Sequence, residues 1–397
     1  MAVSGRGVTY AKGFVAGAAS AGVKHGRKER LDVALIWSER PCVAAGVLTK
    51  NEVIAAPCLV TRRHLEQGTV RAIVVNSGNA NACTGTQGER DAVAMAEAAA
   101  ARLGIGAGEV AVASTGVIGV PLPAQRIVDA VKEIALDISG WDDASRAIMT
   151  TDTRPKVVER EVLLSGGPVR MGGIAKGAGM IHPDLATLLA FITTDAEIGQ
   201  NALARALRPA VERSFNAISV DGDTSTNDTV LVLANGASGV AVGAADVEAF
   251  EAGLAAVCHD LALEIVADGE GVTKVFEVRL TGAASDPDAR LAARTITNSN
   301  LVRTAIHGAD PNWGRILAAA GRSGARVSAE RATVRIGDVA VFDAGAPQPV
   351  DDAAVRAVFA GSRILISVDL GLGSGSAVAW GADLSAEYVR INAEYTT

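Results

Sequence analysis

At 397 residues the chain is long for a single hydrophobic core, so two domains or one large layered domain are expected. Its net charge of −7 contains no block of like charge, which argues against a nucleic-acid partner. No apolar run reaches membrane-spanning length, the first residues lack the apolar stretch of a secretion signal, and the cysteines (Cys42, Cys58, Cys83, Cys258) form no CxxC pair, so a reduced cytoplasm is the expected compartment.

Hydrophobic residues make up 49% of the chain and aromatics only 4%, so the core must be built from Ala, Val, Leu and Ile. Residues 31 to 37 and 45 to 49 read as strands. Residues 71 to 85 read as a strand running into an Asn/Gly/Ser turn, where Asn76, Ser77, Asn79 and Asn81 either face a ligand or simply close the turn. An Ala-rich helix is expected over 88 to 103. The segment 109 to 119 reads as a strand ending in Ser114-Thr115-Gly116, where a hydroxyl and a backbone N–H can serve a developing negative charge or an ordinary turn. The helix after Pro121 and Pro123 places Ile127, Val131 and Ile134 on one face. Residues 146 to 153 gather three threonines and an aspartate, Asp152, that can face a polar ligand.

Gly172 to Ala196 is the most unusual stretch. Four glycines in eight residues, with Lys176 among them, imply close backbone approach or positive φ. Thr187 then stands at the mouth of an apolar run suited to a buried strand. It reads either as the start of a core strand or as a nucleophile. Further on, a helix with Leu203, Leu207 and Val211 and an internal Pro209 is expected. A polar turn holding Asp221, Asp223 and Asp228 follows; it fails as a calcium loop because no glutamate ends it. The stripe Phe250, Leu254, Val257, Leu261 and Ile265 marks a long core helix, which ends at a glutamate between two glycines, Glu270. A strand over 275 to 281, a turn carrying Trp313 and Arg315, a hairpin around Gly337-Asp338 and a strand over 363 to 370 complete the pattern. The chain closes on a polar tail.

Taken in order, these polar turns resemble the ornithine acetyltransferases (glutamate N-acetyltransferases) of arginine biosynthesis, over essentially the full length. The resemblance rests on NSGNANACTG at 76 to 85, STG at 114 to 116, MTTDT at 149 to 153, KGAGMIHPDLATLLAFITTDA at 176 to 196, DGDTSTNDT at 221 to 229, DGEGVTK at 268 to 274, DPNWGR at 310 to 315 and INAEYTT at the C-terminus. It implies a layered α/β sandwich of the type shared with self-cleaving aminopeptidases, with two domains. It also implies a precursor that cuts its own Ala186–Thr187 bond, giving an α chain of residues 1 to 186 and a β chain beginning with the nucleophile Thr187. The freed α-amino group, with an ordinary pKa of about 7.7 to 8.0, would take the hydroxyl proton. By the same resemblance Thr115 and Gly116 form the oxyanion hole. Thr153, Lys176, Thr187, Glu270, Asn392 and Thr397 line the substrate site, with Glu270 either binding an amine or steering protons.

The implied reaction is ping-pong: N2-acetyl-L-ornithine acetylates Thr187, and L-glutamate then takes the acetyl group. Some members also use acetyl-CoA, and this bifunctional reading is adopted over a monofunctional one. No metal or cofactor, no nucleic acid and no membrane are implied, and the two chains would pair into α2β2. The rival readings are a self-cleaving aminopeptidase or amidase and an inactive binding protein. DGEGVTK and the C-terminal INAEYTT count against the first, and the intact Thr187 and Thr115-Gly116 against the second.

Overall fold

The computed structural model describes residues 5–24, 26, 30–182 and 188–394; Ala186, Thr187 and Thr397 lie outside the described residues. Four strands, Phe14–Ala19, Val33–Ser38, Ala72–Asn79 and Val110–Val117, form a first sheet in that order. A second sheet has the order Val43–Leu48, Thr229–Ala234, Leu189–Thr194, Gly167–Lys176 and Lys156–Leu164. Alternation along each strand sends successive side chains to opposite faces, and both faces are buried. Ile73 and Val75 of the first sheet meet Phe191 and Leu231 of the second in a shared core. Val74 and Val112 face the other way, onto Met95 of helix Gly85–Leu103 and Ile127 of helix Ala124–Glu133. Ile192 and Val232 pack on Leu203 and Leu207 of helix Gln200–Glu212 and on Phe250, Leu254 and Leu261 of helix Val247–Ala267. The result is a helix–sheet–sheet–helix sandwich.

The rest of the chain builds a second unit around a seven-stranded sheet, whose core joins Phe276, Val334 and Ile366 to Ile296, Ile306 and Ile316 of three helices. The expected α/β sandwich with two domains is therefore what the structure contains. The boundary between the compact units does not fall at residue 187, because strands Gly167–Lys176 and Leu189–Thr194 on either side of it pair antiparallel, Lys176 opposite Leu189.

Three local expectations change. The glycine-rich segment is half strand: Gly172 and Gly173 lie inside Gly167–Lys176, and only Gly177 and Gly179 belong to the turn. The close approach is real, since a Cβ on Gly172 would lie 1.9 Å from the Gly7 carbonyl oxygen. Trp313 and Arg315 begin a helix, Trp313–Gly321, capped by Asn312, whose side chain accepts the Arg315 N–H. The polar C-terminal tail is also a helix, Ala386–Glu394. Among the described residues no helix is long and apolar enough to cross a membrane, and the cysteines are unpaired.

Candidate active site

The site is built at the ends of strands from both sheets. Ala72–Asn79 and Val110–Val117 run parallel, with Ser77 opposite Thr115 and Gly78 opposite Gly116. Their polar side chains tie the backbone together. Ser114 Oγ donates to Asn76 Oδ1 at 2.6 Å, and Asn227 Nδ2 donates to the carbonyls of Ala80 and Ser114 at 2.6 and 2.9 Å. Asn76, Ser77, Asn79 and Asn81 are all buried, and the amides of Asn76, Asn79 and Asn81 bond backbone oxygens. The Asn-rich turn is thus a brace. Gly116 has φ +133°, and a Cβ there would sit 2.3 Å from the Gly78 carbonyl carbon, so no other residue fits.

Lys176 ends strand Gly167–Lys176 with its ammonium pointing across the sandwich. Its Nζ donates to Thr115 Oγ1 at 3.1 Å and to Thr150 Oγ1 at 2.7 Å. A hydroxyl that accepts from an ammonium keeps its own proton to donate, so Thr115 can offer a hydrogen bond to a third atom. Burial lowers the Lys176 pKa, and Lys156 adds to this, while the Asp152 and Glu270 carboxylates oppose it.

Behind Lys176 lies a buried charge network. Lys156, fully buried, bridges the carboxylates of Asp152 and Asp268, the latter at 2.5 Å. Asp152 Oδ1 also accepts the Gly177 N–H at 2.7 Å, fixing the turn after Lys176. Burial alone would raise the Asp152 carboxyl, but Lys176, Lys156 and the Gly177 N–H outweigh it and bring it down to about 2.

Opposite Lys176, Glu270 is held by its own N–H on the Ala178 carbonyl at 2.9 Å and by Asn392 Nδ2, which donates to Glu270 Oε2 at 2.8 Å. Gly179 lies flat against that carboxylate: a Cβ there would come within 2.6 Å of it. Helix Ala386–Glu394 is pinned to the same place by Ser385 Oγ, donating to the Gly271 carbonyl at 2.6 Å. Tyr388 of this helix is close to Asp221, and burial followed by the Asp221 and Glu270 charges raises its phenol. Asp221 in turn accepts the N–H groups of Met180 and Ile181.

These groups enclose a cavity of about 130 Å³, lined by Thr115, Gly116, Lys176, Glu270 and Asn392 among others. Five of the residues singled out in the sequence, from four distant segments, therefore meet. Thr153 does not join them: its N–H and hydroxyl bond the Asp268 carboxylate, and Thr150 and Thr151 of the same motif line the cavity instead. Asp221, Asn227 and Tyr388 were not singled out as site residues by sequence reasoning, whereas Asp152, expected with the threonines of its motif to face a polar ligand, instead pairs with Lys156 and holds the Gly177 N–H. A larger cleft of about 1310 Å³ runs along the edge strand Val43–Leu48, past Arg62 and Arg208. It contains none of these residues and no comparable convergence of buried polar groups. Among the described residues no cluster of His, Cys, Asp and Glu could hold a metal ion.

The model of the ArgJ family matches residues 15–397. The arginine biosynthesis bifunctional protein ArgJ of Symbiobacterium thermophilum is 51% identical over 396 residues, covering 98% of each chain. Its counterpart from Dehalococcoides mccartyi is 47% identical over 393 residues, covering 98% of this chain and 97% of that one. A crystal structure of the Bacillus halodurans arginine biosynthesis bifunctional protein is 42% identical, with a TM-score of 0.50, and covers 52% of this chain and 98% of its own. With a family model matched over nearly its whole length and relatives of about half-identical sequence, this chain belongs to the ArgJ family.

Proposed function

We propose that this chain is an acyltransferase of arginine biosynthesis, moving acetyl from N2-acetyl-L-ornithine to L-glutamate through an acetyl-Thr187 intermediate and also accepting acetyl from acetyl-CoA. The observation that carries the reading is the meeting of Thr115, Gly116, Lys176 and Glu270 around one small cavity, at the end of the paired strands Gly167–Lys176 and Leu189–Thr194. At about 130 Å³ the cavity suits an amino acid and is well below the roughly 300–1,000 Å³ of drug-sized sites, so most of a CoA ester lies outside it. The relatives are named bifunctional proteins of arginine biosynthesis, which supports both donors.

On this reading the precursor cuts Ala186–Thr187, and Thr187 Oγ1 attacks the acetyl carbonyl while its own α-amino group takes the hydroxyl proton. Thr115 Oγ1–H and Gly116 N–H stabilise the oxyanion. The proton returns to the departing ornithine amine, and glutamate reverses the sequence. Lys176 meets a substrate carboxylate. Glu270, oriented by Asn392, meets an amine or relays its proton. Thr153 acts at one remove, through Asp268, and Thr397 is assigned to the substrate site by the family resemblance alone. The solved Bacillus halodurans chain is about half the length of this one, the size of one product of such a cut. The processed αβ unit pairs into α2β2 in the cytoplasm.

Acetyl transfer to glutamate by purified, processed protein, with the two donors in separate tubes, tests the reading. Transfer from both donors is expected. Transfer from acetylornithine alone would make the enzyme monofunctional, and transfer from neither would favour the peptidase reading. Thr115→Ala is expected to lower kcat with either donor by about 10²–10³, near 3 kcal/mol in the barrier, with Thr115→Ser retaining most of it. Steady-state kinetics checks this, and an unchanged kcat removes Thr115 from the oxyanion hole.

A further inference from the structure

A cavity of about 130 Å³ leaves no room for the nucleotide of an acetyl-CoA donor, which must lie elsewhere on the surface. The cleft of about 1310 Å³ along strand Val43–Leu48 has the size and the charge for it. Five cations line it: Lys50 just after the strand, Arg62 on helix Ala56–Glu66, Arg208 on helix Gln200–Glu212, and Arg290 and Arg294 on helix Asp286–Thr297. The acids among its lining residues are Glu52, Glu66 and Glu212, and Arg290 already pairs with Glu212 at 3.4 Å. The side chains of Lys50, Arg62 and Arg208 form no hydrogen bond or ion pair among the described residues. Cations scattered over a surface need no ligand. These converge from four segments on one concave face of a chain whose net charge is −7, which focuses positive potential there.

The cleft also leads to the cavity. Val43–Leu48 is an edge strand, so one side of its backbone has no strand partner, and Gly46 at its middle is exposed. Its last residue, Leu48, pairs with Thr229, so the strand runs toward the segment that walls the cavity. Just beyond it, Thr49 Oγ1 donates to the Ser225 carbonyl at 2.6 Å, and Asn51 Nδ2 donates to the Thr224 carbonyl at 2.9 Å. Asp223, Ser225 and Thr226 line the cavity, and Asp223 is exposed as well. Cleft and cavity are thus separated by one thin rim, with residues 49–51 on one side and 223–226 on the other. The pantetheine arm of coenzyme A carries two amides, which an unpaired strand edge can hydrogen-bond as it would an added strand. Leu65 and the 46% exposed Leu291 give the cleft apolar surface for an adenine ring.

We propose that this cleft binds the nucleotide and the arm of acetyl-CoA. Lys50, Arg62 and Arg208 meet its phosphates. The arm follows strand Val43–Leu48 toward Thr49 and crosses the rim at Asn51 and Thr224. The thioester carbonyl then arrives at Thr115 and Gly116, where the acetyl group of N2-acetyl-L-ornithine is also received. The two donors share the reacting end and differ in everything behind it, since acetylornithine has no phosphate for the cleft to hold. This inference rests on the reading of acetyl-CoA as a donor and names where that donor binds.

The test compares wild-type processed protein with the double variant Arg62→Ala, Arg208→Ala in acetyl transfer to glutamate, one donor at a time. Losing charged contacts to phosphate is expected to raise the KM for acetyl-CoA at least about tenfold, with transfer from acetylornithine unchanged. S-acetylpantetheine, which has the arm but lacks the nucleotide, is expected to serve both proteins equally. Adenosine 3′,5′-bisphosphate is expected to compete with acetyl-CoA in the wild type, to leave transfer from acetylornithine untouched, and to bind the variant at least about tenfold more weakly. A variant whose KM for acetyl-CoA is unchanged overturns the inference. So does an equal loss with acetylornithine or with S-acetylpantetheine, and so does a bisphosphate that inhibits with both donors or with neither. Should the double variant not fold, Lys50→Ala is read in the same way. Wild-type protein that transfers from acetylornithine but not from acetyl-CoA overturns the two-donor reading and this inference together, whereas the other outcomes bear on the cleft alone.

Discussion

Thr187→Ala is expected to leave the precursor as one band of 40.4 kDa and to abolish acetyl transfer from both donors. Removing the nucleophile of a comparable covalent mechanism costs on the order of 10⁶ in kcat. Among the described residues no histidine lines the cavity to activate another hydroxyl. Denaturing gels and a transfer assay on the same preparation read both effects. An uncut but fully active variant would falsify the assignment of Thr187.

Lys156→Met is expected to have the largest effect on stability. Its ammonium is buried between Asp152 and Asp268, both buried themselves. Removing one partner of such a group leaves uncompensated charge and typically costs about 3–5 kcal/mol. Denaturant unfolding with an unchanged midpoint would refute this. The pH dependence follows from Asp152. Folding lowers its pKa from 3.8 to about 2, so the stability it contributes is fully present above the unfolded value and is lost as pH falls from about 4 toward 2. In the Met variant one of the ammonium groups holding that carboxyl down is gone, and the acid loss of stability moves to higher pH.

Much of the fold could be read from pattern because burial there is local and periodic. Strand Leu189–Thr194 opens on four consecutive apolar residues and is buried throughout because both faces are covered, and helix Val247–Ala267 shows its core stripe at helical spacing. The helix Ala386–Glu394 could not be read this way. None of its residues is fully buried, and it is held by polar contacts to Gly271 and Glu270 more than a hundred positions away. Trp313–Gly321 was hidden by its own cap, since Pro311, Asn312 and Gly314 look like a turn until Asn312 is seen receiving the Arg315 N–H.

The site divides in the same way. Thr115, Gly116 and Lys176 stand at strand ends with unusual composition and could be picked out. In MTTDT the sequence did not separate a threonine that faces the cavity from one that braces Asp268. Asp152 and Asp228 look like ordinary polar-turn aspartates. Only the approach of Lys176 and Leu188 from distant parts of the chain makes them buried and chemically distinctive.

The pairing of strands Gly167–Lys176 and Leu189–Thr194 has a kinetic consequence. A cut between them leaves two chains interleaved in one sheet, and separating them means dismantling the sandwich. Under the proposed cut at Ala186–Thr187 the enzyme would fold once, as a single chain. After unfolding, its halves would have to find each other by diffusion, so refolding would become second order and weaken with dilution. Its working lifetime is set by how slowly it opens rather than by an equilibrium it can revisit.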